Sequence, residues 1–320
     1  MTQEAPAHRM YDVAVVGGGP AGLSAALVLG RARRRVLLVD GAEPRNRCSP
    51  SLHGYLTRDG ATPADFLATA RQEVDGYGVE RRTGTVTGLR AGDDGFWVDL
   101  GDAQVRARRV VVATGLTDEL PDIAGVAGRW GRDVLHCPYC HGYEQRDRPL
   151  GVVGGDRDGA VHQALLLRQW SPDVILFLHE VPEDELTARD RALLAARGVR
   201  VVPGRVTAVV TEEDRLAGLR LADGSYHPRA AVFVPLRLRV NDAPLAGLDV
   251  ATTRSDMGVC LATDPEGRTS VPGLWAAGNV AGLALQVIGA AESGARAAIG
   301  INGGLVLEDA EAALAGRDAA

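Results

Sequence analysis

The stretch Val13-Ala-Val-Val-Gly-Gly-Gly-Pro-Ala-Gly22 decides the fold. Its first four residues form a short apolar run, as a buried strand requires. It ends in a Gly17-x-Gly19-x-x-Gly22 turn, with Pro20 and Ala21 between the last two glycines. An Ala/Leu-rich segment (23–29) follows, then a strand-like run (36–39) closed by Asp40. Strand, glycine turn, helix and strand make one βαβ unit. In that setting Gly17 allows the tight turn, Gly19 lets the backbone approach a pyrophosphate, and Gly22 lets helix pack on strand. The helix N-terminus offers free N–H groups and a positive dipole end to phosphates. Asp40 is placed to accept from ribose hydroxyls. A bare GxGxxG says little, but one with strand, helix, second strand and acid in register predicts a dinucleotide site.

Working outward, residues 79–112 change to short alternating runs split by Gly and Asp pairs, such as Phe96-Trp-Val-Asp-Leu100. We read an antiparallel excursion that returns through a buried strand at 110–113. A second βαβ unit begins at Leu150-Gly-Val-Val-Gly154, runs through a helix at 160–167 and reaches a strand at 174–178. Alternating patches at 199–210 and 216–221 follow, then a strand at 231–234. The chain next reads Gly273-Leu-Trp-Ala-Ala-Gly278, a strand and turn, with a Gly/Ala-rich helix over about 285–301. Two such units, each with a hairpin patch, amount to a weak internal repeat. The last strand and helix lack a βαβ of their own and make sense if they complete the first domain. The predicted fold class is α/β, with two Rossmann-like, three-layer domains. The first is discontinuous, 1–116 plus 244–320, and the second is inserted as 117–243. The tail, 308–320, reads as a solvated helix end.

At 320 residues the chain suits two domains of about 100–200 residues each, and 46% hydrophobic residues supply their cores. Forty glycines fit repeated strand-to-helix turns. A formal charge of −6 gives no electrostatic case for nucleic acid. All 35 basic residues are Arg, so no lysine Schiff base or P-loop lysine exists. The first ten residues contain Glu4, His8 and Arg9 and no apolar core of a signal peptide. No stretch approaches the roughly 18 apolar residues of a membrane span. A cytoplasmic protein is expected.

Four cysteines are too few and too unevenly placed for a disulfide scaffold. Two of them form Cys137-Pro-Tyr-Cys140, flanked by His136 and His141. Zinc would want four ligands, and there is no second CxxC; Cys48 and Cys260 are isolated. No metal site is therefore expected. Covalent haem matches the pattern CxxCH but has no export signal or haem-domain pattern around it. A buried structural pair is the bland alternative. A redox dithiol fits best: two thiols two residues apart close a small ring, Pro138 stiffens it, and imidazoles can stabilise a thiolate or take its proton.

The N-terminal fingerprint, the Ala113-Thr114-Gly115 exit, a CxxC in the inserted unit and Ala276-Ala-Gly-Asn-Val280 together resemble low-molecular-weight thioredoxin reductase, over residues 11–302. More narrowly, Cys137-Pro-Tyr-Cys-His-Gly-Tyr-Glu144, Glu43-Pro-Arg45-Asn46 and His53-Gly-Tyr-Leu-Thr-Arg-Asp-Gly60 resemble the flavin-dependent dithiol oxidases, which close disulfides in natural products such as gliotoxin, holomycin and romidepsin. The resemblance implies non-covalent FAD held by Gly17, Gly19, Pro20, Ala21, Gly22, Asp40, Arg45, Asn46, Thr114, Gly115, Gly278 and Asn279. Gln286 and Val287 would pass the isoalloxazine. Cys140 would lie nearest the flavin and Cys137 would exchange with substrate. Where reductases carry an acid after the second cysteine this chain has His141, the first choice for acid/base, with His136 second. Asn279 replaces the usual Asp. A homodimer is implied by the resemblance alone.

The second glycine motif departs most. Gly154-Gly-Asp-Arg-Asp-Gly159 puts Asp156 where glycine would let the backbone touch a pyrophosphate, and Glu180 stands where an arginine pair would clamp a 2′-phosphate. Two like charges at close range cost on the order of several kcal/mol, of which Arg157 could offset part. NADPH is not expected as a partner. The expected function is oxidation of a small-molecule dithiol, with electrons passing through Cys137–Cys140 and FAD to O2. The competing readings are an NADPH- or protein-fed thioredoxin reductase and a redox-inert FAD-binding module.

Overall fold

A computed structural model describes residues 10–318; the readings of residues 1–9 and of the last two residues lie outside them. The described chain forms two compact units. The first runs to Arg47, resumes over Pro63–Thr117 and ends with the chain from Leu238 onward; the second is Cys48–Thr62 with Asp118–Arg237. The expected boundaries shift in three places. Thr117 and residues 238–243 join the first unit, and Cys48–Thr62, which no residue pattern detaches, packs with the second.

The first unit is built on a seven-stranded sheet. Parallel strands Glu80–Thr83, Val36–Asp40, Met10–Val16 and Gln104–Val112 lie side by side. Met10–Val16 is buried on both faces: Val13 and Val15 pack with Ala25, Leu29 and Ala297, and Ala14 and Val16 pack with Val98 and Leu116. Continuous apolar runs of this kind belong to parallel sheets covered on both sides. On the edge away from Met10–Val16, Gln104–Val112 serves two further partners. Its first half pairs antiparallel with Gly95–Asp99, and its last three residues pair parallel with Leu274–Ala276. The expected antiparallel excursion is present as Gly88–Gly92 and Gly95–Asp99, its return is the second half of Gln104–Val112, and the C-terminal strand Leu274–Ala276 joins this sheet.

The helix after the first glycine motif is Pro20–Arg31. The final helix is longer than its periodicity predicts, Val287–Asp318. It closes on Pro20–Arg31 at backbone distance, because a Cβ on Gly294 would stand 1.9 Å from the Ala21 carbonyl oxygen. Its far end is tied by Arg34 and Arg108 to Asp309, at 2.6 and 2.7 Å. Such partly exposed pairs contribute about 0.2–1 kcal/mol each. Helix Pro63–Asp75 was not read from the sequence.

The second unit carries a five-stranded parallel sheet, ordered Arg200–Val202, Val174–Phe177, Leu150–Val153, Ala231–Phe233, Val134–Leu135. Its hairpin patch stands apart as a separate antiparallel sheet of Val206–Glu212, Arg215–Leu221 and Tyr226–Pro228. The alternating run 199–210 therefore splits between two sheets. Helix Ala188–Ala196 was also missed; Thr187 and Asp190 form a reciprocal capping box at its start.

Candidate active site

In the first unit the strand ends after Val16, Val112 and Ala276 are neighbours, so Gly17, Thr114 and Gly278 gather at the carboxyl edge of the sheet. Crevices at that edge are where open α/β sheets bind ligands. Gly17 has φ +109, and a Cβ there would lie 2.3 Å from the Ala113 carbonyl oxygen. A Cβ on Gly22 would stand 1.8 Å from the Gly17 carbonyl oxygen, the close helix–strand approach expected of the third glycine. Gly19 differs in kind. It is the N-cap of the helix, no side chain caps that end, and a Cβ there would meet nothing within 4 Å. Pro20 opens the helix and Ala21 follows it.

The sequence reading passed over Gly18, whose Cβ would fall 2.3 Å from Asp40 Cγ. It also missed Arg71, which donates to Asp40 Oδ2 at 3.1 Å while Ala42 N–H donates to Oδ1 at 3.0 Å. The third consecutive glycine was the available signal for Gly18. Nothing in the sequence tied Arg71 to Asp40. The Thr114 hydroxyl oxygen is buried with no hydrogen-bond partner among the described residues. Asn241 holds the adjoining chain, donating from Nδ2 to the Thr114 carbonyl at 3.0 Å and from its backbone to the Gly115 carbonyl at 3.1 Å. An uncapped helix N-terminus, an open approach at Gly19 and an orphaned hydroxyl all fit a dinucleotide such as FAD. Arg45 and Asn46 lie on the short 3-10 turn Arg45–Cys48, and Gln286 and Val287 stand at the start of the final helix.

Asn279 has a role that its residue type explains. Its Nδ2 donates towards the carbonyls of Gly282, Leu283 and Leu285 at 3.1, 3.2 and 3.0 Å. A carboxylate would instead face three acceptors. Asn279→Asp is therefore expected to loosen this loop and weaken flavin retention by about 1–3 kcal/mol, the cost of unsatisfied buried polar groups. Flavin released on dialysis against the wild type measures it, and equal retention would remove the argument.

In the second unit Cys137 and Cys140 are joined as a disulfide, with Cα atoms 5.3 Å apart. Cys137 is the N-cap of the turn Pro138–His141, which Gly142 closes by donating to the Pro138 carbonyl at 2.7 Å. A Cβ on Gly142 would lie 2.8 Å from the Trp170 ring, so glycine is required for Trp170 to back the turn. Tyr139 and Tyr143 are 66% and 63% exposed beside it, and Leu56 is 81% exposed.

The two histidines are held differently. His136 Nδ1 is 3.1 Å from the Val234 carbonyl, a bond in which only the ring can donate. His141 Nε2 is 3.2 Å from Ser49 Oγ, and its Nδ1 is buried without a partner among the described residues. Burial pushes the His141 imidazole below its ordinary value, while the Cys137 backbone and Glu144 pull it back up and His53 opposes them. Ser49, Ser51 and His53 were not foreseen as neighbours of the dithiol. Ser51 Oγ is 2.9 Å from His53 Nε2, which lies 3.4 Å from Glu144. Of the other cysteines, Cys48 is exposed and Cys260 buried.

The second glycine motif is altered more concretely than its charge alone suggests. Asp156 is the N-cap of helix Arg157–Leu167, in register with Gly19, and its Oδ1 accepts from Gly159 N–H at 2.7 Å. The carboxylate takes one of the helix-end donors that a pyrophosphate would use. Arg157 offers no free cation to offset it, since it pairs with Asp158 at 2.5 Å and Asp190 at 3.7 Å. His179, buried and pushed below its ordinary value by that burial, accepts from Val206 N–H on Nδ1 and turns Nε2 towards Glu180 at 3.9 Å.

A glycine-rich cradle on one parallel sheet and a CxxC disulfide on a turn of a second unit define a disulfide oxidoreductase built on dinucleotide-binding folds. The description "Pyridine nucleotide-disulphide oxidoreductase" matches residues 11–298, and the chain belongs to that family. It is 33% identical over 312 residues to "Thioredoxin reductase sirT" of Leptosphaeria maculans, covering 92% of this chain and 94% of the relative. Among solved structures, "Crystal structure of HlmI" superposes with a TM-score of 0.89 at 50% identity, over 97% of this chain and 98% of that one. An oxidoreductase from Agrobacterium tumefaciens gives a TM-score of 0.87 at 38% identity, over 93% of this chain and 99% of that one. The protein is thus a thioredoxin-reductase-like flavoprotein, and membership of the family implies FAD.

Proposed function

We propose that this protein is a flavin-dependent dithiol oxidase that closes an intramolecular disulfide in a small natural-product dithiol. The substrate loses two electrons and two protons, and O2 gains both to leave as H2O2. FAD, bound at the Gly17–Gly22 turn, Asp40, Thr114 and the Gly278-Asn279 turn, would supply the two-electron acceptor and its reaction with oxygen. The chain's own part is to exchange disulfides and move protons. A substrate thiolate attacks Cys137, Cys140 leaves as thiolate, and the second substrate thiol displaces Cys137. His141 takes the proton, and His136 anchors the entry to the turn. The exposed Tyr139 and Tyr143, within and just after the dithiol turn, give a small apolar substrate aromatic rings to stack on.

The observation that carries this reading is the contrast between two helix N-termini. That of Pro20–Arg31 is uncapped with open space at Gly19, while that of Arg157–Leu167 is capped by the Asp156 carboxylate. A chain that holds FAD but not NADPH receives electrons from the dithiol side. The relatives' name, thioredoxin reductase, favours the opposite direction, with NADPH or a protein donor as reductant. Anaerobic stopped-flow separates the two. Dithiothreitol should bleach the flavin faster than NADPH by orders of magnitude, and under limiting oxygen peroxide should form in step with dithiol consumed. Faster reduction by NADPH would refute the reading.

The protein is further proposed to work as a homodimer. The exposed Ile299, Val306, Leu307 and Leu314 on the final helix support this, since such apolar side chains on a helix are commonly covered by a partner. Sedimentation at micromolar concentration should give twice the 33.6 kDa chain mass, and a monomer would overturn it. No helix among the described residues is long and apolar enough to cross a membrane.

A further inference from the structure

We infer that Ser49 is a positioning residue that fixes the tautomer of His141, making Nδ1 the nitrogen that takes the thiol proton. The inference rests on the proposal that His141 is the base, and it assigns that role to one atom. Ser49 Oγ lies 2.6 Å from the Ser51 carbonyl oxygen. A carbonyl can only accept, so the single hydroxyl proton of Ser49 is committed to it. The same oxygen lies 3.2 Å from His141 Nε2, and with its proton committed it can only accept there. Nε2 therefore carries the hydrogen. A neutral imidazole has one N–H, so Nδ1 holds a lone pair. That Nδ1 is buried with no hydrogen-bond partner among the described residues. The unpartnered acceptor sits on the residue directly after Cys140.

The opposite tautomer is disfavoured by the same geometry. It would put a hydrogen where the thiol proton must arrive and turn the Nε2 lone pair on Ser49, which would have to release the Ser51 carbonyl. The segment is itself anchored to the dithiol turn. Ser51 Oγ meets His53 Nε2 at 2.9 Å, and that nitrogen lies 3.4 Å from Glu144, three residues beyond His141. Asp59 lies 3.4 Å from His53 Nδ1. In the reaction, the attacking thiol loses its proton to His141 Nδ1 and its sulfur bonds to Cys137. The Cys137–Cys140 bond breaks, and Cys140 keeps the electron pair as thiolate. The imidazolium then formed donates from Nε2 to Ser49; the Cys137 backbone and the Glu144 carboxylate favour the protonated ring, and burial and His53 act against it.

The test is nitrogen NMR of histidine-labelled flavoprotein, with the pH profile of dithiol-driven flavin reduction. The wild type should show His141 as the Nε2–H tautomer, with an acid limb below the ordinary histidine value of about 6.5. Ser49→Ala should mix the tautomers and slow reduction about ten- to a hundredfold, a part of the 10²–10⁴ available to a positioned base. Ser49→Thr, which restores the hydroxyl, should recover both. An Nδ1–H tautomer in the wild type would overturn the inference without any variant being made. So would a Ser49→Ala protein with unchanged tautomer and pH profile. His141→Ala reducing as fast as the wild type would instead remove the base reading beneath it, and the inference with it.

Discussion

Cys137→Ser is expected to abolish dithiol turnover while the protein stays yellow, and Cys140→Ser to abolish it by a different route. Exchange begins by attack on one sulfur of the disulfide, and the remaining sulfur carries the electron pair onward. If Cys137 is the attacked atom and Cys140 lies by the flavin, a reduced Cys137→Ser protein keeps a thiolate able to donate charge to the ring. It should show long-wavelength absorbance without turnover. Cys140→Ser should lose that absorbance but form a mixed disulfide with substrate through Cys137, detectable by mass spectrometry. Cys137 is the N-cap residue of the turn, and Cys140 lies within it, directly before His141. The reverse pattern of absorbance would exchange the two roles.

The second large effect separates two glycines of one motif. Gly19→Val is expected to fold and to be colourless, because its side chain enters open space in the protein but occupies the approach of the pyrophosphate. Losing that approach should cost several kcal/mol, at about 1.4 kcal/mol for each tenfold in affinity. Gly22→Val should fail earlier. Even its Cβ would stand 1.8 Å from the Gly17 carbonyl oxygen, so helix and strand must part. Circular dichroism and flavin content together decide the matter. A folded, fully loaded Gly19→Val protein would defeat the cofactor assignment, and a folded Gly22→Val protein would defeat the packing argument.

The sequence by itself determined the βαβ units, the first glycine turn and the CxxC pair, because each is local. Glycine spacing, apolar run length and a CxxC act within a few residues, and the strands at 13–16, 36–39 and 150–153 could be read from their short apolar runs. It also marked Asp156 as the wrong residue for a phosphate turn. The structure adds what Asp156 does instead, a cap on the helix through Gly159 N–H three residues on. The same holds for Asn279, whose three carbonyl partners are set by the path of the loop. Arg71 meets Asp40, Gly294 meets Ala21 and Ser49 meets His141 across separations that no periodicity encodes. Cys48–Thr62 is the clearest case. It lies within the first unit's span of sequence, yet it packs in the second unit and supplies the hydroxyl at the candidate base. Hydrogen bonds between distant residues follow from how chains pack, and composition and spacing carry no record of them.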